Sequence, residues 1–552
     1  MAVAAVADTS TDEHAPRGAG ARRPAPFVRW GLATHLVVTA LVVGGIVWRL
    51  GGAFAYVLDD PAIHLSMADR LVHDATWGVT PGEFQSASSS PAWTTLLAGA
   101  TLVAGPVVHV VPLALNVAAG VAVVLLLGRA PQVLRPARDR PADATATVVL
   151  VAVVLFLPGL AVVGMEHTLH VALALALVLG AHRWVVDPPG PPVAAVAGLA
   201  ALATLVRFET TFVALGLAVG LLVAGGRAQT RRAVALAGAS GAAVAGFAVA
   251  NRAAGGGWLP NSVLAKGQAT GASADGLGPV DVTLRLTHDR VLLALLLVAV
   301  LHLVLTGCRS RTALPAVALV VAAALHAALA DVGWYERYQA YLVALGVYVL
   351  LGVLAEAPRH LRTRLLWAVA GLGLVLGAVK ANLLVKAPLA ADDMYRQQYH
   401  AALFLERYYE GEPVATDQLG YISWFHGGPI TDFAGLGDRE VLERDGEPRA
   451  ELWADLARER GFRVVVLYDL AAGFDVPEDW ILAGTWRIDG EPVTGVSDSI
   501  VFFATTPEEV EPLQRHLRAF EADMPARSHL ELDENAELRA YALALEEGDA
   551  AG

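Results

Sequence analysis

Apolar runs of about 18 to 22 residues, rich in Ala, Val and Leu, recur through roughly the first 385 positions. In lipid no water is at hand to satisfy a backbone N–H or C=O. Each run therefore has to close its hydrogen bonds within itself, as an α-helix. The chain is expected to be a polytopic α-helical membrane protein. Spans are expected at 31–48, 107–128, 145–163, 168–186, 193–206, 211–226, 233–250, 290–307, 313–330, 338–355 and 365–385, about eleven in all. The stretch from Trp93 to Leu127 is too long for one span. GPVVHVVP, at 105–112, interrupts it, which fits a dipping segment followed by one span.

The basic residues test this threading. GRAPQVLRPARDR, GGRAQTRR, GCRSRT and EAPRHLRTR all fall on the side of the N-terminal tail, and the opposite loops carry few basic residues for their length. That is the positive-inside bias. It places the N-terminus in the cytoplasm and the loops at 49–92, 164–170, 207–210, 251–289 and 333–338 outside the cell membrane. An odd number of spans puts the C-terminal part outside too. Two full spans between Trp93 and Leu127 would reverse the bias. Residues 1–28, small, polar and rich in Pro and Ala, read as a disordered cytoplasmic tail and not as a cleavable signal peptide.

Only 17% of the residues are charged, against about 25% in a soluble protein. The single cysteine, Cys308, excludes an intrachain disulfide and argues against a Cys-based metal site. A net charge of -13 argues against nucleic acid as a partner. From 388 onward the composition becomes that of an α/β domain. MYRQQYHAALFLERYY reads as an amphipathic helix, and PVATD, RVVVLYDL, WILAGTWRI and SIVFFATT read as strands. The expected organisation is a tail (1–28), a transmembrane core (29–387, first external loop 49–92) and a C-terminal extracytoplasmic α/β domain (388–552).

The first long polar segment, Tyr56 to Trp93, opens with adjacent carboxylates, Asp59 and Asp60, and closes with a Ser-rich turn. Asp60 before Pro61 is a helix-start signal, with Asp60 as the N-cap. Ile63, Met67 and Leu71 then recur four apart, as in a short amphipathic helix lying in a headgroup plane. A capping Asp60 would leave Asp59 as the freer carboxylate. Both acids could equally serve as turn and cap residues alone.

Further ionisable residues gather at the outer ends of spans: Glu166, Arg207, Glu209, Lys266, Glu336 and Arg337, with His64, His167 and His170 nearby. Such groups at membrane depth are costly and commonly functional, although each could be an interfacial side chain reaching into water. Arg207 and Glu209 interrupt LATLVRFETTFVAL, where neither is needed for solubility. In the C-terminal domain, VATDQLGYISWFHGGPITDFAGLGD holds Asp417, Tyr421, Trp424, His426 and Asp432. Aromatic faces beside carboxylates suit an accessory glycan-binding role, and a packed strand and turn would use the same residues.

These patches carry a resemblance. An Asp-Asp pair in the first loop, Gly164-Met165-Glu166 with Thr168 and Leu169 behind it, Arg207-x-Glu209, and WLPNSVLAK ending at Lys266 resemble the GT-C superfamily of integral-membrane glycosyltransferases, in particular the actinobacterial terminal arabinofuranosyltransferases. The chain departs from that pattern at Phe208, where Pro is usual, and at His167, where Thr is expected. The resemblance implies a polyprenyl-phosphate sugar donor and a cell-envelope glycan or lipid acceptor. It implies catalysis by Asp59 and Asp60, with Asp59 as base, and substrate binding by His64, Glu166, Arg207, Glu209, Lys266, Glu336 and Arg337. An acidic loop can recruit a divalent cation, but no dedicated ligand cluster is visible and no cofactor is assigned. A GT-C mannosyltransferase or protein O-glycosyltransferase stays open. So does a flippase for a lipid-linked glycan, which would favour polar residues and broken helices deep in the spans.

Overall fold

The computed structural model describes residues 26–129, 141–269, 285, 287–444, 446–469 and 476–550. The expected tail lies outside these residues, except that Pro26, Phe27 and Val28 already belong to the first helix. The body is built from α1 (Pro26–Arg49), α2 (Asp60–His73), α3 (Pro91–Ala104), α4 (Val107–Gly128), α5 (Pro141–Val163), α6 (His167–Val186) and α7 (Val193–Val206). It continues with α8 (Thr210–Ala224), α9 (Arg227–Ala253), α10 (Asn261–Ala269), α11 (Arg290–Thr306), α12 (Ala313–Leu329), α13 (Ala340–Glu356) and α14 (Arg359–Leu376).

Ten of the expected spans each fall on one of these helices, the eleventh, 365–385, straddles the end of α14 and the start of the next helix, and the dipping segment falls on α3. Their lengths change the count. By length and composition α1, α4, α5, α6 and α9 can each cross a membrane, and α14 with the next helix, α15 (Ala378–Tyr409), makes a sixth as a pair bent by 60°. The apolar helices α7, α8, α11, α12 and α13 have 14 to 17 residues. Seventeen residues rise about 26 Å, short of a hydrocarbon core of about 30 Å. Among the described residues, five helices, or six with the bent pair, thus reach full spanning length, against the eleven expected.

The helix after the first loop also differs from expectation. Pro61 stands in its first turn, as foreseen, but all eight residues from Pro61 to Ala68 are buried. Leu65 and Ala68 pack against Trp93 and Leu97 of α3. Ala62, Ile63 and Met67 join the core of the C-terminal unit. A helix covered on both sides is not one lying in a headgroup plane. Of the residues in the expected period, Ile63 and Met67 face the C-terminal core, whereas Leu71 packs with Leu65 and Ala68 on the α3 side.

The C-terminal unit holds one six-stranded sheet, in the order β2-β1-β3-β5-β4-β6. The strands are β1 (Val414–Thr416), β2 (Ile430–Asp432), β3 (Val464–Tyr468), β4 (Ile481–Ile488), β5 (Ser499–Ala504) and β6 (Ser528–Leu532). β2, β1 and β3 are parallel, and the rest pair antiparallel. Alternate residues serve two cores. Val464 and Val466 face Phe404, Phe502 and Phe520. Val465 and Leu467 face Trp453, Phe462 and Trp480. β1, β3, β4 and β5 are the four expected strands. β2 has three residues, and β6, SHLEL, buries little, so neither carries a strand signal.

The expected boundary at 388 falls inside α15. That helix leaves the body and runs on into the sheet unit, with Pro388 inside it and a π-turn at Tyr395–Tyr399. Between β1 and β2 lies α16 (Leu419–Phe425).

Candidate active site

The first loop can approach the body because of a glycine. Gly164, between α5 and α6, has φ +73°, and a Cβ there would lie 2.4 Å from the Tyr56 ring and 3.0 Å from Pro61. Tyr56 Oη donates to His109 O at 2.7 Å, and the Leu113 N–H donates to it at 3.2 Å. These contacts bring the Asp59–Asp60 pair over the start of α6.

The two carboxylates have different surroundings. Arg337 donates from Nη1 to Asp60 Oδ2 at 3.0 Å and from Nη2 to Asp60 Oδ1 at 3.1 Å. The guanidinium also reaches Tyr338 Oη at 3.1 Å and Met165 Sδ at 2.9 Å, and it is 2% exposed. Asp60 is thus on the helix and tied to a cation, not capping. The N-cap position is Asp59, and its side chain makes no capping bond. Asp59 is half-buried. Burial and the neighbouring Asp60 charge push its carboxyl up to about 7, against Arg337 and the Gly420 N–H, which pull it down.

Arg337 is aimed by a turn of unusual backbone. Gly333, Trp334, Tyr335 and Glu336 have φ of +85°, +42°, +61° and +60°. A non-glycine residue in this region costs about 1–2 kcal/mol, so three in succession must be held by what they touch. Glu336 is held by Gln339, whose Nε2 donates to its Oε2 at 2.9 Å, and by Lys380, whose Nζ lies 3.5 Å away. Lys380 Nζ lies 2.7 Å from Asp289 Oδ2. Asp289 in turn caps α11, accepting from the N–H groups of Val291 and Leu292 at 2.9 and 3.1 Å.

A third cluster is centred on Arg207, held between α7 and α8. Its Nη1 donates to Glu166 Oε1 at 2.7 Å, and its Nε and Nη2 engage Glu209, Nε at 3.1 Å. His64 Nε2 lies 3.7 Å from the other Glu166 oxygen. His64 Nδ1 is within 3.2 Å of Thr94 Oγ1 and 3.3 Å of Ser88 Oγ. The Ser-rich turn is a strap: Ser90 Oγ donates to Val206 O, at the end of α7, at 2.5 Å. His167 and His170 are buried, with their rings tilted against Tyr338 and Tyr341.

Three clusters thus share one composition: two carboxylates to one cation. They are Asp59 and Asp60 with Arg337, Glu166 and Glu209 with Arg207, and Asp289 and Glu336 with Lys380. The sequence pointed to Asp59, Asp60, His64, Glu166, Arg207, Glu209, Glu336 and Arg337, and the structure places each of them in or beside one of these clusters. It missed Asp289, Gln339 and Lys380. A lone lysine in the apolar run LVLGAVKANLLV was the available signal. Lys266 falls on α10, and its side chain lies outside the described residues. Among the described residues no group of three or more His, Cys, Asp or Glu side chains gathers as a metal ion would need.

The C-terminal candidates are engaged with protein. Asp432 accepts from the N–H groups of Ala434 and Gly437 at 3.0 and 2.7 Å, forming a turn. Asp417 accepts from the Tyr468 N–H at 3.1 Å. Burial pushes both carboxyls up to about 7. His426 Nε2 is bonded to Glu412 O at 2.7 Å. Trp424 packs into the cores on both sides of α2. Tyr421 reaches the first loop, where its Oη accepts from the Tyr56 N–H at 3.3 Å. These residues are packed within the fold, Tyr421 and Trp424 on α16, His426 at its end, Asp417 after β1 and Asp432 on β2.

Comparison with known proteins adds the following. A domain of unknown function, DUF8728, matches residues 390–504. No curated protein matches by sequence. The structure is similar to that of the Archaeoglobus fulgidus oligosaccharyltransferase in complex with Zn and sulfate, at a TM-score of 0.51 and 12% identity, over 91% of this chain and 74% of that one. It is also similar to ArnT from Cupriavidus metallidurans in the apo state, at a TM-score of 0.50 and 13% identity, over 87% of this chain and 98% of that one. The chain therefore shares the fold of these two proteins.

Proposed function

We propose that the chain is a membrane glycosyltransferase. It moves a sugar, arabinofuranose by the resemblance of its motifs, from a polyprenyl-phosphate donor to a cell-envelope glycan or lipid acceptor on the outer face. The observation that carries this reading is the division of labour in the Asp-Asp pair. Asp60 is neutralised by Arg337, while Asp59 is half-buried and poised at about 7. A general base works best when its proton affinity lies near the operating pH.

In this mechanism Asp59 takes the proton of the acceptor hydroxyl as that oxygen attacks the anomeric carbon. The bond from that carbon to the phosphate oxygen breaks, and the electron pair leaves with the lipid phosphate. The transition state is oxocarbenium-like. Arg207 spends its Nη groups and Nε on two carboxylates. Arg337 keeps Nε–H without a hydrogen-bond partner among the described residues. Arg337 is thus the better placed of the two to meet developing charge on the leaving phosphate.

The test is sugar transfer in membranes from radiolabelled polyprenyl-phosphate arabinose and mannose. Wild type is compared with Asp59→Asn and Asp60→Asn. Transfer from one donor, reduced at least about 100-fold by Asp59→Asn in a normally folded protein, supports the reading and names the sugar. Equal activity of wild type and Asp59→Asn would overturn the base assignment.

One observation favours a second reading. Lys380 lies within three residues of the 60° break between α14 and α15, tied to two buried carboxylates. Broken helices with buried charge suit a flippase for a lipid-linked glycan. Movement of donor across the bilayer without transfer would establish it.

A further inference from the structure

The C-terminal unit comes into close contact with Asp59. A Cβ on Gly420 would lie 2.5 Å from both Cβ and Oδ2 of Asp59 and 2.7 Å from its Cγ. No side chain fits at position 420 while Asp59 stays where it is. The Gly420 N–H faces the same carboxylate. Bonds on both sides of Asp59 fasten this contact. Before it, the Tyr56 N–H donates to Tyr421 Oη at 3.3 Å, and Thr494 Oγ1 donates to Val57 O at 2.7 Å. After it, Ser66 Oγ donates to Ser423 O at 2.7 Å.

We infer that the C-terminal unit completes the active site, with the backbone of Gly420 positioning the Asp59 carboxylate for the acceptor hydroxyl. This rests on the reading of Asp59 as the base. It assigns a task to the segment that DUF8728 matches, since Gly420, Tyr421, Ser423 and Thr494 all lie within residues 390–504. Gly420 is a positioning residue: it acts through Asp59 and supplies an N–H, not a side chain. The charged or titratable groups that face Asp59 are Asp60 from its own helix, Arg337 from the left-handed turn, and Tyr421 and Tyr468 from the C-terminal unit. Gly420 contributes a fixed dipole that favours the ionised form.

The test uses the full chain in detergent and reads Asp59 directly. Dicyclohexylcarbodiimide reacts with a protonated carboxyl. Its incorporation at Asp59, separated from Asp60 by fragment-ion mass spectrometry, is followed from about pH 5 to about pH 9, across the range between free carboxylates and amines. In wild type, labelling should fall through about pH 7. Gly420→Ala displaces the N–H, so the midpoint should move to higher pH by about one unit. The acidic limb of the transfer rate, measured with polyprenyl-phosphate arabinose, should move with it. Tyr421→Phe keeps Gly420 and loosens the tether. It should shift the midpoint the same way by less, and it carries the test if Gly420→Ala does not fold.

Unmoved labelling in the folded variants, with Asp59→Asn inactive, would overturn the role of Gly420 and leave the base reading intact. Shifted labelling with Asp59→Asn still active would overturn the base reading, and the catalytic meaning of the contact with it.

Discussion

Arg337 holds Asp60 with both terminal nitrogens, at 3.0 and 3.1 Å, although 277 residues separate them. The pairing unites the first loop with the left-handed turn before α13. Its removal should therefore be felt twice. Arg337→Ala leaves Asp60 and Asp59 side by side without their cation, an uncompensated charge worth about 3–5 kcal/mol. Thermal unfolding in detergent should show the loss. Arg337→Lys keeps the charge but not the planar fork, so it should recover part of the stability and little of the transfer activity.

The pH dependence has a defined sign. Asp59, Asp417 and Asp432 all have carboxyls raised to about 7 by burial. An unfolded Asp ionises near 4, so in the window from about 4 to about 7 the folded chain holds protons that the unfolded chain has lost. The contribution of these three groups to stability is then fully present below that window and is lost as pH rises through about 7. Scanning calorimetry should find the chain more stable at the acid end, with the slope reduced in Asp417→Asn. Transfer activity should run the other way, rising as Asp59 ionises, so that activity and stability cross near neutrality.

Lys380 is the cation of the cluster that the sequence did not reveal. Lys380→Met strands Asp289 and Glu336 in a buried setting, and the expected loss is about 3–5 kcal/mol. Adding Asp289→Asn to Lys380→Met removes part of the stranded charge. The double variant should therefore be more stable than the sum of the two single losses. A double-mutant cycle measured by thermal unfolding reads this coupling.

Gly164→Ala tests the seat of the first loop. The new methyl would meet the Tyr56 ring at 2.4 Å in a backbone conformation of φ +73°. The conformation alone costs about 1 kcal/mol, and displacement of Tyr56 adds to it. Limited proteolysis should show cleavage within 56–93 well before wild type does.

Much of this was legible because apolar length and charge placement are strong signals. The helices fell where the apolar runs predicted, and the Arg207–Glu209 interruption marked a real buried ion cluster. The capping role of Asp60 was misread because Asp before Pro fits a helix start equally well when its carboxylate is claimed by a distant arginine. Nothing local announces a partner 277 residues away. The exposure of α2 was misread for a similar reason, since one face is covered by α3 and the other by the distant C-terminal unit. β2 and β6 were too short or too polar to show a strand period. Gly420 was invisible as a functional position because its contribution is an N–H and the space left by a missing side chain.

The continuity of α15 has a mechanical consequence. A helix turns about 100° and rises 1.5 Å per residue, so the sheet unit is indexed to the body by rotation as well as by distance. One residue inserted between Leu389 and Met394 would swing the unit about a quarter turn and carry Gly420 away from Asp59, with every residue of both parts unchanged. Four inserted residues would bring it back to within about 40°. The C-terminal unit cannot be exchanged between related bodies as a bead on a string is. Any graft that works will have preserved the phase of this helix.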